Sequence, residues 1–212
     1  MSLSTWLLIA LIVPLFFAAM ALYTKNFIYN ACATATCAIL LLATPNPLPI
    51  LPVILCLLIS IAGDYFMGHQ KASELFYLFG IATFFLAHAC LIWYSANKLD
   101  YSPWQLWIGI ALAVAYGIYL AFRVLPNVAE IQLRIAIVAY ACASIVALMM
   151  GIAMNLPLLQ RILYAVGVAS IVASDTLICE TDFAGNHAPA PAIMPTYFAC
   201  HLLITASILV AS

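Results

Sequence analysis

The stretch "LLISIAGDYFMG" places Asp64 inside an apolar run, and "ASIVASDTLICE" does the same with Asp175. An ionisable group at membrane depth costs about 2.5 to 3.5 kcal/mol on insertion scales, so each asks for a reason. Two carboxyl groups in an apolar setting can divide acid and base work: in low dielectric they hold protons more tightly, and a close pair shares one. A protonated acid beside an ionised one is a general acid beside a general base. The contexts are alike. Ala62-Gly63-Asp64 and Ala173-Ser174-Asp175 put small residues before each acid, and a Ser-Ile pair precedes both, Ser60-Ile61 and Ser170-Ile171. Small residues let helices approach closely. The bland alternative is a buried acid that caps a kink or fixes packing, but neither aspartate has a basic residue one helical turn away.

Further candidates are His88 in "FFLAHACLIWY" and His201 in "YFACHLLI", each either a satisfied interior histidine or a substrate contact. Lys25 either binds a phosphate or snorkels to the surface. Trp104 and Trp107 read as an interfacial belt. "FAGNHAPAPAIMP" reads as a stiff connection or as a lid, and Glu180 and Asp182 read as solvated.

The elements that must hold these groups follow from composition. The chain has 212 residues, 68% hydrophobic and 6% charged, with mean hydropathy +1.18, whereas about a quarter of residues are charged in soluble domains. Nearly all of it divides into runs of roughly 20 apolar residues, the length that spans a bilayer as a helix. The runs are apolar on every side, which excludes the alternating strands of a membrane barrel. The fold class is therefore all-α: one polytopic transmembrane domain over residues 1–212, a bundle of about eight helices. Breaks at polar and proline residues predict spans at Leu3–Tyr23, Phe27–Ala43, Pro49–Gly68, Leu75–Ala96, Trp104–Phe122, Glu130–Met154, Leu158–Thr181 and Ala192–Ala211. Ala19-Met20-Ala21 has the form of a signal-peptidase site, but "MSLSTW" has no basic region and the run is long enough to be retained as a span.

With eight spans both chain ends share one face, side A. Side B then carries Lys25, Lys71, Arg123 and Arg134 against Lys98 and Arg161 on side A, a thin bias toward a cytoplasmic side B. The third and seventh spans run the same way, so Asp64 and Asp175 sit at similar depth toward side B; if those spans adjoin, the acids share a pocket. Matching acids, with Lys25 and Arg123 closing the first and fifth spans, suggest two parallel four-helix repeats.

A net charge of -1 gives no basic surface for nucleic acid. The seven cysteines form no metal-spaced cluster and read as small buried thiols. No zinc-hydrolase motif is present, so no metal and no cofactor is predicted. Three function classes follow: a lipid hydrolase, with acids and a cation near one headgroup layer; a secondary transporter or flippase using the acids as a proton-coupled site; and a purely structural protein, which needs no buried acids.

"YTK" after the first span, "GDYFM" in the third, "FGIATFFLAH" in the fourth, "SDTLI" in the seventh and "MPTYFACHLLITAS" in the eighth resemble the YhhN family, whose animal members are lysoplasmalogenases. The resemblance runs over nearly the whole chain. Asn26 stands where the family pattern has proline, and His201 where it has glutamine, which bears on substrate preference. The resemblance implies hydrolysis of the vinyl ether bond of a lysoplasmalogen to a fatty aldehyde and a glycerophospho-ethanolamine or -choline. The residues themselves fit that chemistry: the expectation is that Asp64 and Asp175 divide the acid and base roles, that Lys25 pairs with the substrate phosphate, and that Tyr197, His88 and His201 line the headgroup end. The expected partners are the lysophospholipid and the bilayer, and the expected setting is a bacterial inner membrane or, second, the endoplasmic reticulum.

Overall fold

The computed structural model describes residues 3–70, 73–100 and 102–210. Among them are nine α-helices: α1 (Leu3–Ala10), α2 (Ile12–Thr24), α3 (Phe27–Leu42), α4 (Leu51–Gly68), α5 (Glu74–Ala96), α6 (Pro103–Tyr119), α7 (Ile131–Ile152), α8 (Leu158–Asp182) and α9 (Ala190–Leu209). Helices are what lipid demands, because every backbone N–H and C=O must be satisfied within the segment. Seven stretches are long and apolar enough to cross a membrane, α1 and α2 counting as one from Thr5. The remaining helix, α3, is a shorter apolar segment of 16 residues. The chain is a polytopic helical membrane protein.

Each predicted span is a helix, the second falling short of the length of the other seven, and three show local departures. The first is interrupted at Leu11 because Pro14 lacks the N–H that would bond to the Ala10 carbonyl. The third starts as a single 3-10 turn, Leu48–Ile50, before α4. The fifth leaves α geometry at Tyr119, passing through a π turn, Leu120–Val124, and a 3-10 turn, Leu125–Asn127, where Pro126 forbids a regular helix. Helix starts carry ordinary caps: Asn26 Oδ1 accepts the Ile28 N–H at 2.9 Å, and Ser73 Oγ accepts that of Leu75 at 3.2 Å. Lys25 closes α2 in the left-handed region, φ 53°, with its N–H donating to the Ala21 carbonyl at 2.8 Å.

Pairing of helices repeats. In the first half α2 packs on α3, α3 on α4 and α4 on α5; in the second α6 packs on α7, α7 on α8 and α8 on α9. The halves meet through α5 on α7 and α3 on α9. Matching α2 to α6, α3 to α7, α4 to α8 and α5 to α9 turns the first of these contacts into the second, the signature of two parallel repeats about an axis along the membrane normal. Residue types follow the same correspondence. Asn30-Ala31-Cys32-Ala33-Thr34 of α3 answers Tyr140-Ala141-Cys142-Ala143-Ser144 of α7, and Phe84-Phe85 with His88 of α5 answers Tyr197-Phe198 with His201 of α9.

Small residues set the closest approaches. A Cβ on Gly167 of α8 would lie 3.2 Å from the Ile204 nitrogen and 3.3 Å from the Cys200 carbonyl oxygen, so the α8 and α9 backbones nearly touch there. α9 continues through Pro195, and the neighbouring carbonyls of Ala192 and Ile193 take side-chain donors: Thr196 Oγ donates to both, and Ser174 Oγ of α8 donates to Ile193 at 3.0 Å. The main core lies among α3, α4, α5, α8 and α9, with a second cluster around Leu120, Val124, Val128, Ile137 and Ala141. Large apolar side chains such as Phe16, Phe122 and Val114 face outward, as lipid contact requires, and Trp104 and Trp107 are exposed too. Lys71, one of the side B cations, lies outside the described residues.

Candidate functional site

Asp64 sits in the last turns of α4, before its side B end. Tyr197 of α9 donates its hydroxyl to Asp64 Oδ2 at 2.7 Å, and the Asn30 side chain of α3 also faces this carboxyl. The Tyr197 ring stands edge-on to His201, with centroids 4.4 Å apart and planes at 72°. His201 Nδ1 meets Thr34 Oγ at 3.1 Å, and both residues are buried. A carboxyl group at membrane depth is thus held by polar side chains from α3 and α9, with no cation among its hydrogen-bond partners in the described residues.

Asp175 repeats the plan with different side chains. Tyr140 of α7 donates its hydroxyl to Asp175 Oδ2 at 2.5 Å. The Tyr140 ring stands edge-on to His88 of α5, centroids 5.0 Å apart and planes at 81°. His88 Nδ1 lies 2.9 Å from the Phe84 carbonyl, so this nitrogen carries the proton and Nε2 is left as an acceptor. That Nε2 is buried and has no hydrogen-bond partner among the described residues. Under the repeat, Tyr140 takes the place of Asn30, and Phe84 takes the place of Tyr197.

The cavity lined by Asp175 does not count Asp64 among its lining residues, although Met67, about one turn further along α4, does line it. The main packing partners of α4 are α3 and α5, and those of α8 are α7 and α9, equivalent places in the two repeats. Phe84 stands between the centres. Its ring packs on Gly63, where an added Cβ would come within 2.9 Å of it, and stands edge-on to Tyr197 at 6.1 Å. It also lines a cavity of about 60 Å³ bounded by Asp175, Tyr140, Tyr116 and Tyr77, among others. A substrate that meets both acids has to displace or skirt this one ring.

The remaining predicted residues fall as follows. Lys25 is exposed at the side B end of α2 and lines none of the cavities described here. His88 and His201 are buried at 1% and 4% exposure, each against a tyrosine that serves an aspartate. Glu180 corrects the reading of it as solvated: its side chain is 15% exposed and accepts from Arg123 Nε and Nη2, both at 3.3 Å, from Tyr119 at 3.0 Å and from Asn186 at 3.2 Å. The π turn that ends the fifth span swings Arg123 onto it. Asp182 is exposed and accepts the Tyr77 hydroxyl at 3.2 Å. The proline-rich segment divides into a connection, residues 183–189, and the first turns of α9.

Sequence reasoning missed Tyr140, Asn30 and Phe84. The signal for all three is the internal repeat: once "NACAT" is set against "YACAS" and "FFLAH" against "YFACH", the residues flanking each aspartate fall into register. Among the described residues no three His, Cys, Asp or Glu side chains come together in a way that could hold a metal ion. Neither a curated protein nor a solved structure matches the chain. The model of the YhhN family matches residues 25–208, a stretch that runs from the Lys25 cap to the last turn of α9 and includes both tyrosine-held aspartates, and the chain belongs to the YhhN family.

Proposed function

We propose that the protein is a lysoplasmalogenase, an ether hydrolase that cleaves the vinyl ether bond of a lysoplasmalogen within the membrane. The observation that carries this reading is the pair of intramembrane aspartates, each accepting a tyrosine hydroxyl at an equivalent place in a duplicated bundle. Cleavage of R–CH=CH–O–R′ begins with proton transfer to the alkene carbon remote from oxygen, giving an oxocarbenium ion. Water adds to the carbon that bears oxygen, the hemiacetal collapses, and R–CH₂–CHO and HO–R′ leave. The sum consumes one water and needs no electron donor or acceptor. It does need a proton donor and a carboxylate beside the developing cation, a division of labour that glycosidases also meet with two carboxyl groups.

Asp175, at the water-sized cavity, orients water and steadies the cation, and Asp64 supplies the proton. Tyr140 and Tyr197 fix the direction of each carboxyl group, and the buried His88 and His201 act through those tyrosines by edge contact. Phe84 yields as the alkenyl chain comes in sideways from the leaflet between helices. Lys25, exposed on side B, meets the substrate phosphate. The lysophospholipid and the bilayer are the partners, and a bacterial cytoplasmic membrane is the setting we favour.

The test is aldehyde release from a lyso-plasmenylethanolamine or -choline by protein purified in detergent, with Asp64→Asn and Asp175→Asn as controls shown to be folded. Aldehyde from the parent and almost none from either variant supports the reading. No aldehyde across headgroups and pH from a folded parent sinks it and favours transport, which requires a sealed vesicle.

A further inference from the structure

Hydrolysis consumes one water per turnover, and Asp175 lies among apolar helices, so the water has to be delivered. The cavity beside Asp175 has about 60 Å³, room for about two waters at roughly 30 Å³ each. It is far below the roughly 300 Å³ at which pockets for small organic ligands begin. The Asp175 carboxyl lies on a wall that is otherwise almost wholly apolar, so a water there has that carboxyl as its main partner and is not stored. Toward side B lies a second hollow of about 830 Å³, open and lined by Gln70, Glu74, Glu130, Gln132 and Asp182 among others. These residues come from the side B ends of α4, α5, α7 and α8, where the bundle meets the interface.

Two residues, Tyr77 and Phe183, line both hollows. Their rings stand edge to face, centroids 5.9 Å apart, and the Tyr77 hydroxyl donates to Asp182 on the outer side at 3.2 Å. The wall between an aqueous groove and the carboxyl cavity is therefore one aromatic pair, latched at its outer end.

We infer that the side B groove, the Tyr77–Phe183 pair and the small cavity form a water inlet to Asp175, separate from the route taken by the lipid chain. The inference rests on the hydrolase reading for its purpose, but not for its geometry. Water crosses as Phe183 swings, reaches the cavity in ones and twos, and meets the Asp175 carboxyl. The alkenyl chain does not fit this route. A wet path and an oily path meeting at one carboxyl group let the site stay dry except for the reactant.

Cys179 lines the inner cavity and gives a readout that needs no turnover. Two proteins, one keeping only Cys179 and one keeping only the core residue Cys56, are treated in detergent with hydrogen peroxide, a thiol oxidant little larger than water, and the oxygen added at the cysteine is read as the label by mass spectrometry. Phe183→Ala, and Phe183→Leu as the milder change, are added to each. The inlet predicts that Phe183→Ala speeds labelling of Cys179 by about tenfold or more, as opening a gate should, with Phe183→Leu between and Cys56 unchanged. Equal labelling with and without the Phe183 change, or equal acceleration at Cys56, overturns it. Aldehyde release measured on the same proteins separates the two claims: gated labelling without aldehyde from the parent sinks the hydrolase reading and leaves the inlet standing, while aldehyde without gated labelling overturns the inlet alone.

Discussion

The Asp64 and Asp175 centres are one design used twice and then specialised. Each places an aspartate on the third helix of a repeat, ties it to a tyrosine hydroxyl and sets a histidine against that tyrosine's ring. The differences lie in who supplies the tyrosine and what fills the remaining place. Asp64 takes Tyr197 from the other repeat and Asn30 from its own, and the Tyr197 ring stands against His201, which is itself bonded to Thr34, so polar side chains surround this acid. Asp175 takes Tyr140 from its own repeat, and the place of Tyr197 is held by Phe84, which offers no hydrogen bond and borders a cavity. Polar surroundings fix a carboxyl group in one geometry, whereas an apolar ring beside a void leaves room for a reactant. Duplication followed by a few exchanges thus yields two acids at similar depth with unlike surroundings, which acid-base chemistry needs.

The largest test of that contrast is loss of either acid. Asp64→Asn and Asp175→Asn should each lower kcat by about 10² to 10⁴, the usual range for a general acid or base, and the double variant should lose little more, since the two act as a unit. A single variant with parental kcat would break the pairing.

Next come the tyrosines. Tyr140→Phe and Tyr197→Phe each remove a hydrogen bond to a carboxyl group, worth about 1.5 to 3 kcal/mol; as about 1.4 kcal/mol is tenfold in rate, kcat should fall about 10- to 100-fold with KM little changed. A larger loss for Tyr140→Phe would mark Asp175 as the more demanding centre, because Tyr197→Phe leaves Asn30 facing Asp64.

Gly63→Ala and Ser174→Ala probe the residues just before each acid. Overpacking against Phe84 at 2.9 Å should destabilise the first by about 1 to 3 kcal/mol. The second loses the Oγ hydrogen bond to the Ile193 carbonyl and should cost about 1 kcal/mol. Thermal unfolding in detergent measures both, and equal, negligible shifts would remove the steric distinction between the centres.

The smallest effect should come from the periphery: Arg123 is half-exposed where it meets Glu180, so Arg123→Gln should keep aldehyde release within about twofold. A chelator should change nothing. Loss of activity restored by added zinc would overturn the two-carboxylate account.

Much of this was legible in the sequence because lipid leaves a chain few choices. Apolar runs of the right length must be helices, and an acid inside one stands out against its surroundings, so the spans, Asp64 and Asp175 could be read directly. Tyr140, Asn30 and Phe84 could not be singled out by composition, since tyrosine, asparagine and phenylalanine are ordinary in such helices. Their importance comes from which helices touch, and the α3–α9 and α5–α7 contacts join distant parts of the chain. The sequence tied a shared acid pocket to the third and seventh spans adjoining, and that lateral arrangement, unlike the spans themselves, has no marker in the sequence. Glu180 was misread because the π turn at Leu120–Val124, which presents Arg123 to it, has no marker in the sequence beyond Pro126.

The central claim is that the chain protonates the alkene carbon of a vinyl ether. Purified protein is incubated with a lysoplasmalogen in D₂O, and the aldehyde is trapped at once by reduction and weighed by mass spectrometry. The account predicts an aldehyde carrying a single deuterium on the carbon next to the carbonyl, formed by the parent and lost in Asp64→Asn and Asp175→Asn. An aldehyde without that deuterium, or none from a folded parent, would contradict it.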